Sequence, residues 1–89
     1  MKVYALMFNG VNEDGVSLHG IYASQEAATK VMDAEMERLS EDYSIDRPEH
    51  WFESRATVVD QADLMSRGRS DDDDDGVDIQ LWIEEHEVK

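Results

Sequence analysis

Apolar and polar residues alternate most regularly near the end of the chain. Val77, Ile79, Leu81 and Ile83 are separated by residues that are mostly polar. Alternation with a period of two is typical of a β-strand with one buried face, so we predict a strand over 77–83. The polar segment 84–89 could extend this strand.

The first part of the chain predicts a β-hairpin. Residues 2–8 (KVYALMF) and 16–23 (VSLHGIYA) are rich in strand-forming residues. The turn dipeptides Asn9-Gly10 and Asp14-Gly15 lie between them. We therefore expect two antiparallel strands joined by a long loop within residues 1–23.

A helix is expected next, over residues 25–43. Ser24 is a favourable N-cap residue. The apolar residues of this segment recur with a period of 3.6 and form one stripe, which consists of Ala28, Val31, Met32, Met36, Leu39 and Tyr43. This stripe would pack against the sheet.

The segment between the helix and the last strand is harder to assign. Pro48 ends the preceding helix, and a short helical turn could follow it. The segment 51–60 (WFESRATVVD) predicts a third strand, and 61–70 is either a turn or a short helix. We expect 71–76, which contains five consecutive Asp, to be a flexible acidic loop.

Together these elements predict an α+β fold with two layers and the order β-β-α-β-β. An antiparallel sheet of about four strands would carry one long helix on one face. A chain of 89 residues is expected to form a single domain, 1–89.

The sheet face away from the helix is predicted to carry an apolar patch. The first strand is apolar on both sides, and we assign Tyr4, Leu6 and Phe8 to the uncovered face together with Trp82. The segment 44–70 could cover this patch. Otherwise we expect it to bind a partner, either a second subunit in a homodimer or a foreign protein.

Charge restricts the classes of partner. Twenty-two Asp and Glu against eight Lys and Arg give a formal net charge of −14. Such a surface disfavours direct binding to nucleic acid or to acidic lipid headgroups. The absence of cysteine excludes disulfides and thiolate chemistry and fits a cytoplasmic protein. With no long apolar run, we expect no membrane association.

One resemblance concerns the first third of the chain. Its opening is similar to that of short uncharacterised proteins of bacteria and their phages, through VYAL at 3–6 and GIYASQEAA at 20–28. The resemblance implies a small accessory protein, encoded by a phage or mobile element, and transfers no catalytic residue.

Candidate chemistry is sparse. The run 71–76 matches the first half of a calcium loop, but the position of the final bidentate Glu is Trp82. The three histidines share no ligand spacing, and no serine has a nucleophile motif. We expect no enzyme, no cofactor and no metal site.

The strongest positive signal is a row of acidic residues on the outer face of the helix. Glu26, Asp33, Glu37 and Glu41 would lie at successive turns. Such a row could imitate a phosphate backbone and occupy the basic groove of a nucleic-acid-handling host protein, which the protein would inhibit or sequester. The alternative is a salt-adapted or highly soluble regulatory or dimerisation domain, and a calcium-responsive module is a third hypothesis.

Overall fold

The fold is taken from a computed structural model, which describes residues 1–10, 16–47, 56–66 and 79–88. Within these ranges the chain forms one helix and five strands. In chain order they are β1 (Lys2–Gly10), β2 (Val16–Tyr22), α1 (Gln25–Leu39), β3 (Tyr43–Asp46), β4 (Val58–Ser66) and β5 (Ile79–Glu87).

The strands form one antiparallel sheet in the order β2-β1-β5-β4-β3. Helix α1 packs on one face, which confirms the predicted two-layer α+β class and the antiparallel sheet. The sheet has five strands rather than about four, because a short strand follows the helix. The first and last strands of the sequence are neighbours at its centre.

Helix α1 begins as predicted and ends earlier than predicted. The Ser24 hydroxyl accepts a hydrogen bond from the Ala27 amide at 3.1 Å, as an N-cap does. At the other end, Ser40 donates its amide and its hydroxyl to the Glu37 carbonyl, at 3.2 and 2.7 Å. These bonds close the last turn, so the helix ends at Leu39 and not at residue 43.

Strand β4 corrects a second prediction. The segment 61–70 was expected to be a turn or a short helix, but 61–66 continues the strand that begins at Val58. Ala62 and Leu64 are fully buried toward the helix, which explains why tertiary packing selects a strand despite weak strand-forming residues. The predicted strand over 51–60 therefore starts later, and residues 51–55 lie outside the described residues.

The core lies between the helix and the sheet. Three helix residues, Ala28, Met32 and Met36, pack against the inner face of the sheet. The sheet residues of this core are Leu6, Ala62, Leu64, Ile79, Leu81 and Ile83. Strand β5 confirms the predicted strand over 79–83 and extends it to Glu87, whereas residues 77 and 78 of that prediction lie outside the described residues. The acidic run 71–76 lies outside the described residues.

Among the described residues, α1 is too short and too polar to span a lipid bilayer, and the chain contains no other helix there.

Candidate functional site

The four residues assigned to one apolar sheet face lie on two different faces. Leu6 belongs to the core under the helix, and Tyr4 and Phe8 pack against that core. In β5, Ile83 pairs with Leu6, whereas Trp82 pairs with Met7. Directly paired residues share a face of a sheet, so Trp82 lies on the face opposite to Tyr4, Leu6 and Phe8. The prediction that these four residues form a single surface is therefore wrong.

Trp82 is also not exposed. Its side chain is 2% accessible, and its indole Nε1 donates a hydrogen bond to Glu84 Oε2 at 2.6 Å. Exposed apolar residues of this face include Leu18 and Ile21 on the edge strand β2, at 54% and 58%. A bulge beside the Leu6–Met7 step places both on the same face.

The predicted acidic row is shorter than expected. Glu26, Asp33 and Glu37 lie on α1 and are exposed, but Glu41 lies in the turn after the helix. Lys30 interrupts the row, because it lies one turn after Glu26.

Asp33 is engaged within the molecule. The guanidinium of Arg47, which follows β3, donates a hydrogen bond to the Asp33 carboxylate at 2.8 Å and another to the Asp60 carboxylate at 2.5 Å. This bridge joins the helix, the end of β3 and β4. Asp33 is therefore less available to a partner than the sequence suggests.

Most other described cations are also paired. Arg38 binds Glu35 one turn earlier, and this hydrogen bond holds the pKa of Glu35 below its usual range despite partial burial. His19 lies 3.9 Å from the same carboxylate. Lys2 lies 3.5 Å from Glu85. Of the four lysines and arginines in the described part of the chain, Lys30 alone has no ion-pair partner.

Among the described residues, five exposed anions have no ion-pair partner, and three of them lie close together where α1 ends. Glu37, Glu41 and Asp42 are all exposed, and no described cation pairs with them. We call these three residues the acidic helix end. A helix C-terminus carries partial negative charge and favours cations, so anions there do not stabilise the helix. These side chains are consequently available for an interaction outside the domain.

A second acidic feature lies on the sheet face away from the helix. Four polar residues pair in register across four strands, and in spatial order they are Asn9, Gln80, Asp63 and Asp46. Asn9 donates to Gln80 through its side-chain amide at 2.9 Å. Asp63 is 7% exposed, and its Oδ1 is fully buried without a hydrogen-bond partner. Burial, and then repulsion from Asp46, raises the pKa of Asp63 to about 6.

The described residues contain no group of three His, Asp or Glu side chains arranged to hold a metal ion. His86 contacts Glu84 at 3.0 Å, and His50 lies outside the described part of the chain. The fold and these charges define a small α+β protein with an acidic exterior.

Comparisons with protein-family models, curated proteins and solved structures find no match for this chain.

Sequence reasoning missed two of these features for different reasons. The spacing of Glu35 and Arg38 permits a helical ion pair and could have been found. The position of Asp63 could not, because an Asp in a weakly strand-forming segment predicts a turn rather than a buried strand residue.

Proposed function

We propose that this is a non-enzymatic acidic binding protein that occupies the basic, nucleic-acid-binding surface of another protein, with the acidic helix end as its principal contact. The observation that carries the proposal is the location of unpaired charge. Among the described residues, every lysine and arginine except Lys30 is bound within the domain, and three of the five exposed anions left unpaired lie together at Glu37, Glu41 and Asp42.

Two physical arguments support this choice. Anions at a helix C-terminus cost stability, so the domain itself gains nothing from them. A net charge of −14 attracts a basic surface over distances of about a Debye length, which accelerates encounter and suppresses acidic competitors. A groove that binds phosphates presents the complementary charge.

The proposal differs from the sequence-based prediction in the residues that carry it. Asp33 is excluded from the principal contact because Arg47 already binds it. Glu26 lies near the other end of the helix, and its role is limited to long-range attraction. An accessory protein of a phage or mobile element remains the biological role that we propose, as an inhibitor acting in the cytoplasm.

The test is a pull-down from bacterial lysate at about 50 mM and about 500 mM salt. The wild-type protein should retain a basic nucleic-acid-binding protein at low salt and release it at high salt. The triple variant E37Q/E41Q/D42N should retain much less. Because these side chains are exposed and unpaired, the free energy of unfolding measured in urea should be unchanged or slightly higher in the variant.

A matched control separates a local contact from net charge. The variant D71N/D73N/D75N removes an equal number of negative charges, three, from the acidic run. It should keep most of the binding. Equal losses in the two variants would show attraction by net charge alone, and no basic protein retained by the wild type at low salt would end the proposal.

A further inference from the structure

We propose that Asp63 and Asp46 hold one hydrated divalent cation of the magnesium or calcium type between strands β4 and β3. The proposal concerns the sheet face opposite to the helix and is independent of the acidic helix end.

The carboxylate of Asp63 is not satisfied within the domain. Its Oδ1 is fully buried, and the structure gives this oxygen no hydrogen-bond donor. A buried polar atom without a partner costs free energy, and an ionised one costs more. Folded proteins seldom keep such an atom unless water, a proton or an ion satisfies it.

Asp46 lies beside Asp63 on the neighbouring strand β3. It is the direct cross-strand partner of Asp63, and it is exposed. The Cβ atoms of such a pair lie about 4.5–5.5 Å apart. Two carboxylates at this separation repel each other when nothing lies between them, but they can both reach a cation at about 2.0–2.6 Å.

None of the lysines and arginines among the described residues pairs with Asp63 or Asp46. Arg47 directly follows Asp46 in sequence, but its guanidinium binds Asp33 and Asp60 on the helix side of the sheet. On the other flank Asp63 pairs with Gln80, which is neutral. Along β4 itself the residues two positions away, Gln61 and Met65, are also uncharged.

The chemistry of the pair selects the ion. Carboxylate oxygens prefer hard cations, and magnesium is commonly held by one or two carboxylates with water in its remaining positions. Asp63 would contribute the buried ligand and Asp46 the exposed one, so the open side of the ion would keep its water. No third His, Asp or Glu is placed to join them among the described residues. We therefore expect a weak site, with a dissociation constant of about 0.1–10 mM.

Binding should weaken at acidic pH, because metal ligands must be deprotonated.

The experiment is a calorimetric titration with magnesium chloride or calcium chloride in about 150 mM potassium chloride, which suppresses diffuse counterion binding. The protein carries Asn in place of each Asp at 71–75, so that this run cannot contribute. In this background we expect one saturable site. D63N should weaken it at least tenfold, D46N should weaken it less, and D42N should leave it unchanged, although all three remove one charge.

Three results would overturn the proposal. A titration without a saturable component would mean that a proton or water alone satisfies Asp63. Unchanged affinity in D63N would place the ion elsewhere. Equal weakening in D63N and D42N would show that net charge, and not a site at Asp63, accounts for the cation binding. D63N should fold, because the substitution keeps the side-chain shape and removes the buried charge.

Discussion

Replacement of Asp63 by Asn should stabilise the protein at neutral pH in metal-free buffer. The burial of Asp63 and its repulsion by Asp46 raise the pKa of its carboxyl from 3.8 to about 6. At about 1.4 kcal/mol per pKa unit, this corresponds to about 3 kcal/mol. Asn lacks the charge but leaves an amide in the same buried place, so we expect a net gain of about 1–3 kcal/mol at pH 7.5.

The sign follows from proton linkage. A carboxyl whose pKa is higher in the folded state binds its proton more tightly there than in the unfolded chain. Asp63 therefore costs no stability below about pH 4, and its cost grows as the pH rises to about 6. The advantage of D63N should open across this window and stay constant above it.

The assay is urea unfolding followed by tryptophan fluorescence, in EDTA, at pH 4, 5, 6 and 7.5. The other carboxyls titrate in both proteins, so the difference between them isolates Asp63. D42N, which removes an exposed unpaired carboxylate, should show only a small and nearly constant difference. A D63N advantage that did not change between pH 4 and pH 7.5, or a variant less stable at pH 7.5, would refute the reasoning.

Three further substitutions test the packing, the cap and the ion-pair bridge by the same urea assay. M32A removes a side chain buried between helix and sheet and should lower the free energy of unfolding by about 2–5 kcal/mol. M32L keeps most of the volume and should lower it by less than about 1.5 kcal/mol. Equal losses in the two variants would contradict the packing. S24A should cost about 1 kcal/mol through the lost cap, and S24D should not, so a neutral S24A would contradict the cap. R47Q breaks the bridge from Asp33 to Asp60 and should lower the free energy of unfolding by about 0.5–1 kcal/mol at low salt. If this loss is the same in about 1 M salt, the ion pairs are not its cause.

Periodicity was sufficient to predict the most regular elements, but it missed β3 and part of β4 and did not give the relative faces of the strands. The alternation in 77–83 predicted β5, and the stripe that contains Met32 predicted the start and the buried face of α1 but not its end, because burial imposes a period of two or 3.6 on each element separately. The pairing of Trp82 with Met7 rather than with Leu6 depends on strand register. A shift of one residue exchanges the faces, and the sequence of either strand alone contains no information on the other.

The candidate site was predicted only in part. The excess of acidic residues was evident from composition, but their pairing was not, because Arg47 reaches Asp33 through the fold. Glu41 was placed on the helix because Tyr43 continues the apolar stripe. In the structure Tyr43 packs against the core from β3 instead. The helical spacing of apolar residues therefore continues past Leu39, although the backbone there is no longer helical.

The central pairing of β1 with β5 has a consequence for how the chain folds. These strands join Lys2 to Glu87 and Gly10 to Ile79, so the middle of the sheet is made from residues separated by most of the sequence. Hairpin β1–β2 and helix α1 can form early from nearby residues, but this ladder requires the closure of a long loop, whose entropy must be paid before the contacts are gained. The chain should therefore fold more slowly than a helical protein of its length, and its two halves should become stable together in one late step.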